Sequence, residues 1–152
     1  MKAKPKATPR TRASAKARLD QASDQFARGF ELEASDIAAA RETYRAALAT
    51  YRGHLEASIN LGRLLHLDGK LRDAEKIYRA ARHASATLSF NLAMLLEDLH
   101  RDEEAVHAYK DALALEPALH EAHLHLGLLH ERRKRPREAL VHVLAFRRNS
   151  RR

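Results

Sequence analysis

The segment NLGRLLHLDGKLRDAEKIYRAA, Asn60–Ala81, returns 31 residues later as NLAMLLEDLHRDEEAVHAYKDA, Asn91–Ala112. Asn60, Leu61, Leu64, Leu65, Ala74, Tyr78 and Ala81 coincide with Asn91, Leu92, Leu95, Leu96, Ala105, Tyr109 and Ala112. A third copy begins at His125, 34 residues after Asn91, and keeps Leu126, Gly127, Leu129 and Ala139. An earlier copy shows Ala40, Tyr44 and Ala47. A unit this short cannot bury its apolar face alone, so tandem copies must stack on one another, and the chain is expected to form a solenoid.

Within each copy the apolar residues keep a helical period, cut at short intervals by turn signals. Helices are predicted over about 19–34, 36–51, 54–67, 71–83, 85–99, 102–115, 117–133 and 136–148, with Pro117 and Pro136 opening the last two. Ser35-Asp36 and Ser85 supply N-caps, and Gly53 and Asp68-Gly69 mark turns. Connections are short, so consecutive helices must be antiparallel neighbours. Repeats fall at about 19–52, 53–84, 85–118 and 119–149, inside a domain of 18–149. Residues 150–152 form a basic tail. Residues 1–17 hold no large apolar side chain after Met1 and are expected to be a disordered basic arm, whose C-terminal part could become the first turn of a helix.

The spacing resembles the tetratricopeptide repeat family, whose pattern runs W-x2-L-G-x2-Y, then A-x3-F, then P. Leu61-Gly62, Leu65, Ala74 and Tyr78 match it, as do Leu92-Ala93, Leu96, Ala105, Tyr109 and Pro117, and then Leu126-Gly127, Ala139 and Val143. The likeness covers about 21–148 and is closest to small bacterial-type members. It implies an all-α, right-handed superhelical solenoid of about four helix-turn-helix repeats. Ser58, Ser89 and His123 replace the family's tryptophan, and the second repeat lacks the closing proline and is three residues short. Placing Gly29 at the glycine position of the first repeat requires a turn one residue shorter than in the others. Small residues at these points let helices approach closely, and large ones fill the space between.

The family typically binds protein partners in the concave groove lined by the first helix of each repeat. Carried over by position, that groove presents Phe26 and Phe30 from repeat one, and Ile59, Asn60, Arg63 and His66 from repeat two. Repeat three supplies Phe90, Asn91, Met94 and Glu97, with Thr87 beside them. Repeat four supplies Leu124, His125, Leu128 and Glu131. Phe90, Met94, Leu124 and Leu128 suit an amphipathic helix or an extended apolar peptide. The family's carboxylate clamp for acidic chaperone tails is absent: Asn60 matches, but Thr87 and Asn91 stand at the third-repeat positions and repeat one offers no lysine.

The net charge of +8 is unevenly placed. Residues 1–18 carry +7, residues 132–152 carry +8, and the middle carries −7. The ends give a second candidate surface, for a polyanion such as nucleic acid: Lys2, Lys4, Lys6, Arg10, Arg12, Lys16, Arg18, Arg132, Arg133, Lys134 and Arg135. No aromatics interleave with them, so base stacking is not suggested, and nucleic acid ranks below a protein ligand. His120, His123, His125 and His130 share one predicted helix, but packing explains them better than metal binding.

No phosphate loop, nucleophile elbow or paired-carboxylate motif appears, so the chain reads as a non-catalytic scaffold without a cofactor. With no cysteine, thiol chemistry is excluded and a cytoplasmic location is expected. No apolar run approaches the roughly 20 residues of a membrane span. ALVHVLAF in the last predicted helix is apolar on more than one face, with no further helix to cover it. Val141, Leu144 and Phe146 are therefore expected to be partly exposed, or paired with a second copy in a weak homodimer or with a partner.

Overall fold

The computed structural model describes residues 9–81 and 85–150, with side chains from Ser14 onward. Among these residues there are eight helices and no strand: α1 Pro9–Leu32, α2 Ile37–Thr50, α3 Leu55–Leu67, α4 Leu71–Ala80, α5 Ala86–Asp98, α6 Asp102–Leu115, α7 His120–Arg132 and α8 Pro136–Asn149. They pack as consecutive antiparallel pairs, α1 with α2 through α7 with α8, and α3 also meets α5 across the repeat boundary. The architecture is the helical solenoid the repeats require.

The spacing of small and large residues sets the pairs. Ala40, Ala74, Ala105 and Ala139 are all buried at equivalent points of the second helices. Four residues further on, Tyr44, Tyr78 and Tyr109 are fully buried, and Val143 takes their place in the last repeat. Opposite each lies the small residue of the first helix. A Cβ on Gly62 would stand 2.2 Å from the Tyr78 ring, one on Gly29 would stand 2.7 Å from Tyr44, and one on Gly127 would stand 3.2 Å from Val143. Gly29 therefore occupies the glycine position, with the shorter first turn that this placement demands.

Each of the last three repeats turns between its helices in the same way. Gly69, His100 and Lys134 sit seven residues after the small position, with φ of 73°, 56° and 56°. The following N–H reaches back to the helix: Lys70 to Leu65 at 2.9 Å, Arg101 to Leu96 at 2.9 Å, Arg135 to His130 at 2.8 Å. This is the left-handed helix stop that glycine adopts without cost and side chains resist. Lys134→Gly is expected to raise stability by about 0.5–1 kcal/mol, read from denaturant midpoints. No change would mean that the exposed lysine makes an offsetting contact.

Two helix starts differ from the sequence reading. α1 begins at Pro9, so residues 9–17 extend the helix instead of belonging to a disordered arm. Proline fits a first turn, and the Arg, Ala, Ser and Lys that follow contain no breaker. A segment already docked from Ala22 onward can propagate helix outward, because elongation is far easier than nucleation. Residues 1–8, with Lys2, Lys4 and Lys6, lie outside the described residues. Pro117 does not open α7, which starts at His120. It ends α6 instead: Glu116 before it leaves the helical region, which a following proline disfavours, and a Leu119 N–H to Glu116 C=O bond of 3.1 Å closes the turn.

Candidate partner-binding face

The first helices α1, α3, α5 and α7 present equivalent positions side by side. Three residues before the small position stand Phe26, Ile59, Phe90 and Leu124. One residue after it stand Phe30, Arg63, Met94 and Leu128. The first row is mostly half-buried. Phe26 stacks on Tyr44 with ring centroids 5.6 Å apart and on His54 at 5.2 Å, while Phe90 meets Tyr109 and His125 edge-on, each at 5.6 Å. The second row is open at its ends: Phe30 is 62% exposed and Leu128 53%. Met94 and Phe90 lean on the second core cluster, and Ile59 on the first.

The polar residues of this face are held by one another. Glu33 accepts hydrogen bonds from the Tyr44 hydroxyl at 2.6 Å and from Asn60 at 3.3 Å, and it forms an ion pair with Arg63. Asn60 also donates to Tyr44 at 3.1 Å. Glu97 repeats the arrangement two units on. It accepts from Tyr109 at 2.6 Å, from His125 Nδ1 at 3.2 Å and from Arg132 at 3.5 Å. In the repeat between, His66 stands where the glutamates stand and donates to Asp98 of the next repeat at 2.6 Å, while Asn91 bonds the Tyr78 hydroxyl. The tyrosine–glutamate bonds close within one repeat, while the contacts of Asn60, Arg63, His66, His125 and Arg132 each link a repeat to its neighbour and act as clasps between units.

Burial pushes the Tyr44 hydroxyl up to about 12, and the bond to Glu33 pushes the same way. Tyr109 is raised further by burial and Glu97. Burial also pushes the Glu97 carboxyl up, but the bonds from His125 and Tyr109 more than offset it and leave the group below its usual range. Both phenols therefore remain donors and Glu97 remains an acceptor at neutral pH.

Of the sequence candidates, Phe30, Leu124, Leu128, Thr87 and Glu131 are open to solvent. Asn60, Arg63, His66, Asn91, Glu97 and His125 are engaged within the protein. Sequence reasoning missed Glu33 and Asp98. Glu33 carried a signal, since it follows Gly29 by the same interval at which Glu97 follows Ala93.

The basic candidates divide in a similar way. Arg132 donates to Asp102 at 2.8 Å, and Arg133 is ion-paired with Glu103. Lys16, Arg18, Lys134 and Arg135 are exposed. Arg10 and Arg12 lie on the first turns of α1. A separate cleft of about 700 Å³ lies over α2 and α4, floored by Leu48, Leu61 and Ile77 and edged by Arg45, Arg52 and Arg79. It is away from the two rows, and Arg45 and Arg79 are already paired with acids.

His123 and His130 of α7 meet His142 of α8. Pro117 C=O accepts from His123 Nε2 at 3.2 Å, so the neutral ring has its lone pair on Nδ1, which lies 3.0 Å from His142 Nδ1. His130 stacks flat on His142 at 5.6 Å. These rings pack the α7–α8 seam, and among the described residues no group of three potential metal ligands converges.

Tandem antiparallel helix pairs sharing one packing code define a helical-repeat scaffold. The sequence model described as tetratricopeptide repeat matches residues 31–89 and 90–149, most of the chain. The chain belongs to the tetratricopeptide repeat family, a fold generally used in protein–protein interaction. A crystal structure of MamA is similar at a TM-score of 0.79 and 16% identity, covering 93% of this chain and 85% of that one. MamA 41-end from Desulfovibrio magneticus RS-1 is similar at 0.74 and 21% identity, covering 86% and 76%. A tetratricopeptide repeat protein from Parabacteroides merdae is similar at 0.73 and 22% identity, covering 83% and 52%. No curated protein sequence matches the chain significantly. No described helix is long and apolar enough to cross a membrane.

Proposed function

We propose that the face made by α1, α3, α5 and α7 binds a peptide or helix of another protein, and that the chain is a non-catalytic scaffold. The observation that carries this is the second row. Phe30, Met94 and Leu128 supply one apolar side chain per repeat, with Arg63 between them held to Glu33, and the row's two ends are exposed. Exposed apolar side chains set in register along a rigid surface favour contact with a partner. The neutralised Arg63 lets an apolar ligand cross the second repeat without meeting an unpaired charge. Glu131 and Thr87 lie open at its margin for polar contacts.

The polyanion alternative has less support. Arg132 and Arg133 are tied to Asp102, Glu97 and Glu103, so among the described side chains Lys16, Arg18, Lys134 and Arg135 are the exposed candidates for it. Phe30→Glu and Leu128→Glu are each expected to weaken a captured partner at least about tenfold, with the thermal midpoint unchanged. Retention of the partner by both variants, or its loss only on raising salt, would remove the reading.

A further inference from the structure

The outer face of α8 departs from its own repeat. Counting from the buried alanine, two positions on stand Glu42, Lys76 and His107 in the first three units, and five positions on stand Arg45, Arg79 and Lys110. All six are exposed and polar. In the fourth unit the same places hold Val141 and Leu144, 64% and 55% exposed, with Leu140 beside them, also exposed. These outer positions face solvent in every other repeat, so they are not the surface that a next repeat would cover. The three side chains form a short aliphatic row, with Arg137 at one end and Arg147 and Arg148 at the other, all exposed. From Arg137 to Arg148 the row is about 16 Å long, three turns of helix.

We infer that this face is a second docking surface, and that it takes an acidic amphipathic helix of another protein. A narrow apolar row suits the ridge of one helix, and the arginines at its two ends would meet carboxylates flanking that ridge. A second copy docked α8 to α8 would set arginine against arginine, which disfavours the self-pairing expected from the sequence. The row has no aromatic side chain for a lipid interface, since Phe146 lies half-buried against His120 at 6.0 Å.

The test uses the full chain and a fluorescent synthetic helix carrying a leucine row flanked by glutamates. Controls are the same helix with lysines for glutamates, and vesicles of phosphatidylcholine and phosphatidylserine. Saturable binding of the acidic helix is expected, weakened about tenfold by Val141→Glu or Leu144→Glu and unchanged by Leu128→Glu. Circular dichroism should stay the same in every variant, because the substituted side chains point outward. Equal binding of the lysine helix, no loss in the α8 variants, binding to vesicles alone, or α8-dependent self-association in sedimentation would each overturn the inference. None of these results bears on the face of α1, α3, α5 and α7, since Leu128→Glu reports on that surface separately.

Discussion

Tyr78→Ala is expected to cost the fold about 3–5 kcal/mol, because it empties a fully buried site at the junction of α3 and α4. Gly62→Ala is expected to destabilise as well, although alanine favours helix by about 1 kcal/mol over glycine. The added Cβ would stand 2.2 Å from the Tyr78 ring, which has no exposed side to move toward. The two substitutions should therefore be strongly non-additive. In the Tyr78→Ala background the ring is gone, and Gly62→Ala should become neutral or stabilising as helix propensity takes over. Denaturant midpoints for the four proteins measure the coupling. Additive effects would mean that Gly62 is small for some reason other than Tyr78.

Acid should loosen the last repeat, and the α2–α3 junction as well, where burial lowers His54. Burial, then the nearby His123 and His130, push His142 down to about 4 from its usual 6.5, and burial lowers His130 as well. Lys110 on α6 lowers both, Arg135 lowers His130, and Glu138 works against them on His130. A histidine depressed in the folded state binds fewer protons there than when unfolded, so stability rises with pH between the two values. The contribution is fully present above about 6.5 and is lost as pH falls toward 4, on the order of 3 kcal/mol for His142. The lowered carboxyls of Glu97, Glu75 and Glu104 act in a more acidic window, below the usual 4.5. His142→Phe should reduce the upper slope, leaving the share of His130 and His54, and should leave the lower part. An unchanged upper slope would place the sensitivity elsewhere.

The scaffold was readable because its code is local and repeated. Ala74 and Tyr78 lie one helical turn apart, and the same pair recurs at Ala105 and Tyr109, so sequence spacing alone predicts which side is buried. The two rows facing the proposed partner follow from the same register. The clasps were not readable, because they depend on which side chain of the next repeat comes opposite. Arg132 looked like a free cation in a basic run, yet the structure places it between Asp102 and Glu97, residues 30 and 35 positions away. Asn60 and His125, candidate ligand contacts by position, also brace Tyr44 and Glu97, which the sequence did not show. The start of α1 escaped for a different reason. A composition that cannot form a core says little about a helix extended from one that is already docked.

Amide hydrogen exchange on the complex with a captured partner bears most directly on the scaffold reading. Added protection is expected on α1, α5 and α7 around Phe30, Met94 and Leu128, with little change on α2 and α4. Protection confined to α2 and α4, or to the exposed arginines and lysines at the two ends, would contradict it.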